Sequence, residues 1–556
     1  MGVDKPALPS PVEMLLQQAK QRPDQPYLHQ PFKGEWRAYT WAEVADQSRR
    51  MASALLALGL PQGSRILLTG MNTAHWFMAD FACGLAGLVG VGLYPKQSED
   101  AVRFIAGHSE AKAVFIGPMP DAAGVIGALP QDIIKIALPY PGVAQCELRW
   151  DELIAQHAPL AQPVARDPNG LWSLIYTSGT TGNPKGVIIT QTNLTFTIAG
   201  MLQLMPARAG GERFLSYLPL AHAFERGAVE VASLYLGAQV YFLEELDKLP
   251  DTIKFVRPTR FFGVPLVWTR IQAGILKQLP SQKLDRLLKN PLIGWYVKRK
   301  IRNGLGLDQA WLRISGAAPM PMPVLNWFHK IGLDIYQGYG MTENSIYVSV
   351  NMPHANRLGS VGKPYEDSLI RIAPDGEIQN KHAGITPGYY KDAVKTQELF
   401  SEDGWLRTGD VGRLDADGYL YITGRVKEIF KTLKGKYVTP APIEGSFASN
   451  RDVDQVCLVG SGLNQPVMVV SLTTDAEKKS REEIGKELLT TMETINAGIE
   501  AHEAIAKIII SKQAWSIDNN MMTPTMKVRR NEIEKHFHDL IEKAEGDRKQ
   551  KLIWES

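Results

Sequence analysis

Short β-branched and aromatic runs recur between longer stretches with apolar side chains at helical spacing, and this alternation confines the chain to an α/β architecture. WAEVADQSRRMASALLALGL, residues 41–60, has that helical spacing, ends on glycine and runs straight into the strand-like SRILLTG. AKAVFIG, GAQVYFL and TRFFGV read as further buried strands between helical segments. Phe81–Tyr94 is charge-free and apolar but studded with glycine, and it is too short to span a bilayer. It reads as a buried helix running into a strand.

An alternation sustained over 556 residues exceeds one ordinary core, so at least two domains are expected. Past Gly404, GWLRTGDVGRLDADGYLYITGR is dense in turn-forming Gly and Asp between short alternating strands. Beyond Arg425 the elements become smaller: the strand QVCLVG, an amphipathic helix across 477–507, then KIIIS. The expected boundary lies at Gly424–Lys427, dividing a large α/β domain (1–424) from a small α+β domain (425–556). The last segment, 531–556, reads as one amphipathic helix with a polar tail, placing His536 and His538 on a solvated face.

Overall charge argues against one class of partner. The 61 basic and 58 acidic side chains nearly cancel to +3, without the concentrated basic block of a nucleic-acid binder. Cys83, Cys146 and Cys457 are far apart and match no CxxC spacing, so a disulfide framework or zinc cluster is disfavoured and a reducing compartment favoured. The N-terminus lacks a signal-peptide layout, and Pro6 stands where a myristoylation signal needs Ser or Thr. The expected location is cytoplasmic, which leaves room for peripheral contact with the inner face of a membrane. Oligomeric state is not legible.

YTSGTTGNPKGVIIT, Tyr176–Thr190, is the sharpest chemical signal. Gly179, Gly182 and Gly186 let backbone N–H groups approach a polyanion; Thr177, Ser178, Thr180 and Thr181 add hydroxyls, and Lys185 adds charge. A plain hairpin loop would not need that density of phosphate-compatible groups. Gly186 follows Lys185 where a Walker loop needs Ser or Thr, so kinase and GTPase readings lose support. The absence of a GxSxG elbow likewise disfavours a serine hydrolase.

This loop, ending in PKG, resembles that of the adenylate-forming superfamily of acyl-CoA synthetases, peptide-synthetase adenylation domains and luciferases. The resemblance runs from about Tyr39 to Phe537 and repeats, in order, at five further motifs. SGAAP (Ser315–Pro319) is similar to the adenine-contacting loop, implying adenine contacts at Gly316, Ala317 and Ala318. YQGYGMTE (Tyr336–Glu343) is similar to the second nucleotide motif and implies contacts from Gln337, Gly338, Tyr339, Gly340, Met341 and Thr342. GWLRTGD supplies Asp410 for the ribose hydroxyls, and GRVKEIFK supplies Arg425 and the hinge residue Lys427. PTMK supplies Lys527 as the adenylating lysine, although Met526 stands where many members have glycine. The family expectation is a large multi-subdomain N-terminal domain and a small mobile C-terminal one, acting on ATP with Mg²⁺ and CoA. An acceptor-only carboxylate suits Asp410's role, Glu343 with Thr177 offers hard oxygen ligands for Mg²⁺, and Thr342 can reach the α-phosphate.

PLAHAFER, IFKTLKGKYVTPAPIE and the TPTMK lysine motif resemble the long-chain fatty acyl-CoA synthetase branch. That implies a fatty acid substrate, His222 beside the acyl and thioester centre, and Gly435 flanked by Lys434 and Lys436 on the CoA side. GEIQNKHAGITPGYY lacks the branch's usual Gly-Pro. Apolar runs at Phe255–Trp268 and Ile335–Val350 are candidate tunnel walls, though ordinary core packing explains them equally. Transfer to a separate carrier protein, and a medium-chain or aryl acid substrate, stay open as alternatives. A dead acyl-binding protein would be expected to lack Glu343, Asp410 or Lys527; all three are present.

Overall fold

The computed structural model describes residues 8–177, 183–523, 527–546 and 550–556. A seven-stranded sheet runs in the order Leu148–Arg149, Ile134–Ala137, Ala113–Ile116, Arg65–Thr69, Val89–Leu93, Leu171–Thr177, Lys185–Thr190. Every neighbouring pair is parallel except the last, an antiparallel hairpin with Thr177 opposite Lys185. Strands such as Ala113–Ile116 are apolar throughout because helices cover both faces of the parallel sheet. Helix Trp41–Ala57 starts on a Thr40–Glu43 capping box, and Phe81–Tyr94 is a buried helix end running into the strand Val89–Leu93.

A second sheet begins with three parallel strands, Arg260–Gly263, Leu312–Ser315 and Tyr336–Tyr339. A third, fully antiparallel sheet contains Leu369–Ile372, Glu377–Lys381, Leu406–Leu414 and Leu420–Arg425. Asp410 and Arg425 are direct partners across its last ladder, so the arginine is still integrated into the sheet. A fourth sheet (Arg213–Ser216, Gln239–Phe242, Pro26–Phe32, Glu35–Thr40) completes the N-terminal part.

From Phe430 onward the chain packs apolar cores of its own around the sheet Val453–Val459, Val467–Leu472, Lys507–Ile510, Leu552–Trp554. Two expectations need correction here. The helix expected across 477–507 is confined to Arg481–Asn496: Ser480 caps its start, and Gly498 follows its end. The C-terminal segment is two helices, Arg530–His536 and His538–Gly546, and its tail is a parallel strand with Leu552 opposite Ile508. His536 and His538 are exposed and pair with Glu555 and Glu542. An ion pair between Lys96 and Asp518, 2.9 Å, links the N-terminal part to the C-terminal one.

Candidate active site

The motifs gather at carboxyl ends of parallel strands, where α/β sheets open onto ligands. Thr177 ends one such strand, with Ser178, Gly179, Thr180, Thr181 and Gly182 lying outside the described residues. Gly316–Ala318 follow Leu312–Ser315, and Gly340–Thr342 follow Tyr336–Tyr339. Ala317 adopts φ +68°, a left-handed conformation that turns the loop sharply at this point. Gly340 lies so close to Ile346 that any Cβ would collide with that residue's backbone. Gln337 braces the two loops by accepting from Met320 N and donating to the Ser360 carbonyl.

Two carboxylates face this region. Glu343 is buried in the short turn Thr342–Asn344, and its Oε1 accepts from the Tyr389 hydroxyl at 2.7 Å. The Lys185 ammonium sits 4.8 Å from the centroid of the same Tyr389 ring. Burial lowers the Lys185 pKa, and Lys395 and Lys427 add to that, while Glu343 and Asp392 oppose it. Tyr389 is therefore a site residue that the motifs did not single out; its register against Val187 brings it there. Asp410, also buried, accepts from Tyr339 at Oδ2 (2.6 Å) and from Arg425 Nε at Oδ1 (2.8 Å). Each oxygen retains a lone pair, so the carboxylate can still accept from a pair of vicinal hydroxyls.

Lys527 comes to this cleft from the C-terminal part, held by a tight turn in which Thr523 N donates to the Lys527 carbonyl at 2.8 Å. Pro524–Met526 of the PTMK motif lie outside the described residues. Lys527 is exposed, yet desolvation by the surrounding protein leads the causes of its lowered pKa. Arg425 repels its charge, while Asp410, Glu343 and Glu428 attract it. Lys527 also repels a proton from His222, whose pKa falls to about 4, chiefly through burial. Asp410, Glu343 and His222 thus converge within electrostatic reach of Lys527. Lys427 lies exposed just past Arg425. Gly435, at φ +75°, turns the hairpin between Phe430–Lys431 and Tyr437–Val438, which leaves Lys434 and Lys436 exposed.

An apolar pocket borders these loops, its empty space of about 800 Å³ including the open solvent at its entrance. Gly316, Ala317 and Gly338–Gly340 form its mouth, with His222 and Phe224 beside them. Its walls are Ile198, Met201, Leu202, Met205, Ala228, Ala232, Leu236, Phe262, Ile346 and Val350. Both anticipated apolar runs contribute, but Phe255 itself is exposed. The helix Gln191–Leu204, which supplies three wall residues with its C-cap Met205 a fourth, was not anticipated. Its only sequence signal is an apolar character spread around the helix.

The FER of PLAHAFER anchors His222. Glu225 Oε1 accepts from Ser216 Oγ and Tyr217 N, at 2.7 and 3.1 Å, and burial pushes its pKa up to about 8. Arg226 pairs with Asp80 and Ser173 in the core and begins a π-helical turn, Arg226–Val231. His222 caps the preceding turn by accepting from Phe224 N at 3.2 Å, so it stands buried at the cavity wall.

Mg²⁺ suits this donor set. Glu343 has one oxygen held by Tyr389 and the other without a hydrogen-bond partner among the described residues. A hard divalent ion bound largely by phosphates and water needs only one or two such protein oxygens. No cluster of three or more metal-binding side chains occurs among the described residues.

These features define an enzyme that handles an adenylate in a cleft above an apolar cavity, and the chain belongs to the AMP-binding enzyme family, which matches residues 15–390. The family's C-terminal domain matches residues 428–548. Long-chain-fatty-acid–CoA ligase FadD15 of Mycobacterium bovis is 31% identical, with 95% of this chain and 96% of that protein covered. The peroxisomal long chain acyl-CoA synthetase 6 of Arabidopsis thaliana is 29% identical, with 91% and 81% covered. Among solved structures, the anthranilate CoA ligase AuaEII with anthranoyl-AMP shares the fold at TM-score 0.79 and 21% identity, covering 97% and 99% of the two chains.

Proposed function

We propose that the chain is a fatty acid–CoA ligase working in two half-reactions. A carboxylic acid of pKa about 4–5 is ionised at neutral pH and needs no general base. Its carboxylate oxygen attacks the α-phosphorus of ATP, the bond to the β-phosphate oxygen breaks, and pyrophosphate leaves. The protein's task is in-line positioning and electrostatic relief. Lys527 bridges the two approaching anions, Asp410 holds the ribose, and Lys185 with the glycine-rich loop cradles the outgoing phosphates. Thr342 contacts the α-phosphate, while Glu343 and Thr177 would hold Mg²⁺, which would supply positive charge against that on the leaving pyrophosphate. CoA then enters as a thiolate, drawn from a thiol with pKa about 8.5. It attacks the acyl carbon, and the bond to phosphate breaks to release AMP. His222, neutral at physiological pH, serves as a wall and hydrogen-bonding group at the acyl centre.

The observation that carries this reading is the apolar cavity opening directly between the two nucleotide loops. Each buried methylene contributes about 0.8 kcal/mol, so a long aliphatic acid gains far more there than acetate does. Relatives named long-chain-fatty-acid–CoA ligases along nearly the whole chain favour the same substrate class. The proposed domains are 1–424 and 425–556, with Lys427 as the hinge and the Gly435 loop on the CoA side. The proposed setting is the cytoplasm, where three cysteines that are all free in the structure are chemically at home.

A pyrophosphate-release panel over fatty, aryl and amino acids tests the reading, with CoA and acyl carrier protein compared as acceptors. Dodecanoate or palmitate should lead, and CoA should be the acceptor; an aryl or amino acid that wins would overturn it.

A further inference from the structure

The helix Pro291–Leu305 turns two different faces outward and inward. Gly294 is buried, and Val297, Ile301 and Leu305 pack on the core, forming one stripe at i, i+3, i+7 and i+11. The opposite face should be polar. Instead its N-terminal half presents Leu292, Trp295 and Tyr296, exposed at 81, 58 and 59%, with Ile293 beside them at 45%. Asn290 fixes this end of the helix by accepting from Leu292 N and Ile293 N. Exposed large apolar groups scattered singly need no explanation, but four within five residues form a patch that calls for a partner.

The charge around the patch identifies that partner. Residues 281–305 contain seven basic side chains and one acid, Asp285, giving +6 in a chain whose total is +3; this local concentration corrects the expectation of no basic block, which the near-cancelling overall charge concealed. Asp285 pairs with Lys330, outside the segment. None of the seven basic groups forms a salt bridge among the described residues, and Arg299 lies 5.5 Å from the Trp295 ring centroid. A nucleic acid or an acidic protein would answer the charge alone. Aliphatic and indole side chains at the rim of a basic surface answer a bilayer, where Trp and Tyr settle at headgroup depth and Lys and Arg meet anionic lipid. No helix among the described residues is long and apolar enough to cross a membrane, so the contact lies on the surface.

We propose that the face of Lys283–Arg302 carrying Leu292, Trp295 and Tyr296 docks the protein onto anionic lipid bilayers. This site is separate from the nucleotide cleft, and its test does not depend on the ligase reading. The full chain is floated with vesicles of phosphatidylcholine alone, or of equal parts phosphatidylcholine and phosphatidylglycerol. It should float with the anionic vesicles and stay behind with the neutral ones. Leu292→Ser/Trp295→Ser, and separately Lys289→Glu/Arg299→Glu/Lys300→Glu, should each weaken flotation by at least about tenfold. Thermal unfolding should be unchanged, since these side chains are exposed. Wild-type protein that fails to float, or floats equally with neutral vesicles, overturns the proposal. So does undiminished flotation of either variant, or tighter binding to duplex DNA than to the anionic vesicles.

Discussion

The Tyr389 hydroxyl donates to Glu343 Oε1 across 46 residues of sequence, while Lys185 rests against the ring of the same tyrosine. Tyr389 thereby contacts both the ammonium and the carboxylate, and leaves one Glu343 oxygen for another ligand. Glu343→Ala should reduce Mg²⁺-dependent ATP–pyrophosphate exchange by about a hundredfold or more. Tyr389→Phe, which removes one hydrogen bond to a charged group, should cost about 10–100-fold. Exchange assays across a Mg²⁺ titration check both, and a Tyr389→Phe protein with wild-type Mg²⁺ dependence would show that the tyrosine does not orient the carboxylate.

Asp410 accepts from Tyr339 and Arg425 before any ribose arrives, so its position is already fixed. Asp410→Ala should raise the KM for ATP by about 10–100-fold, with a smaller effect on kcat. Asp410→Asn retains one acceptor oxygen and should fall between. Steady-state kinetics with ATP varied decide this.

Lys527 is within electrostatic reach of Asp410, Glu343 and His222, all from the N-terminal part. Lys527→Ala should lose acyl-adenylate formation by about a hundredfold or more, yet remain folded. Supplied with synthetic acyl-adenylate and CoA, it should make acyl-CoA near the wild-type rate. Collapse of both steps in a folded variant would rule out a lysine that serves adenylation alone.

If the C-terminal part rotates between the two steps, the backbone just past Arg425 must absorb the change. Lys427→Pro fixes φ there and should slow thioester formation more than adenylation. Single-turnover measurements of each step distinguish this from equal slowing, which would argue against a hinge at 427.

Glu225 is the titrating group in the buried turn that carries His222. Its folded pKa of about 8 is above the 4.5 of an ordinary glutamate, so the folded state binds the extra proton between those values. Its contribution to stability is fully present below about pH 4.5 and is lost as pH rises toward 8. Glu225→Gln should flatten this loss by up to about 1.4 kcal/mol per pH unit within that window. Urea unfolding of both proteins at several pH values measures the difference; parallel curves would place the glutamate's charge elsewhere.

Much of this architecture was readable because parallel strands such as Ala113–Ile116 are apolar on both faces and bounded by glycine or polar turns. The nucleotide motifs were readable for another reason: each uses residue types with little other use at that density. The tail strand Leu552–Trp554 was not, because three apolar residues after a charged stretch become a strand only by pairing with Ile508–Ile510. Tyr389 and the wall helix Gln191–Leu204 stayed hidden for a related reason. An apolar or aromatic residue satisfies a core and a substrate cavity by the same chemistry, and only packing against Lys185, Glu343 or Phe262 tells the two apart.

The ion pair between Lys96 and Asp518 is solvent-exposed on both sides, at 53 and 71%. Such a pair is worth only about 0–1 kcal/mol and weakens as salt screens it. It is one of several contacts between the two parts of the chain, beside that of Gly424 with Thr439, and by itself adds little to any free-energy gap between orientations. A ligand that favours one orientation by about 1.4 kcal/mol would then shift the populations tenfold. On that scale the order of events in the catalytic cycle would be governed by which substrate is bound, and ionic strength would act as a second, graded control on the same equilibrium.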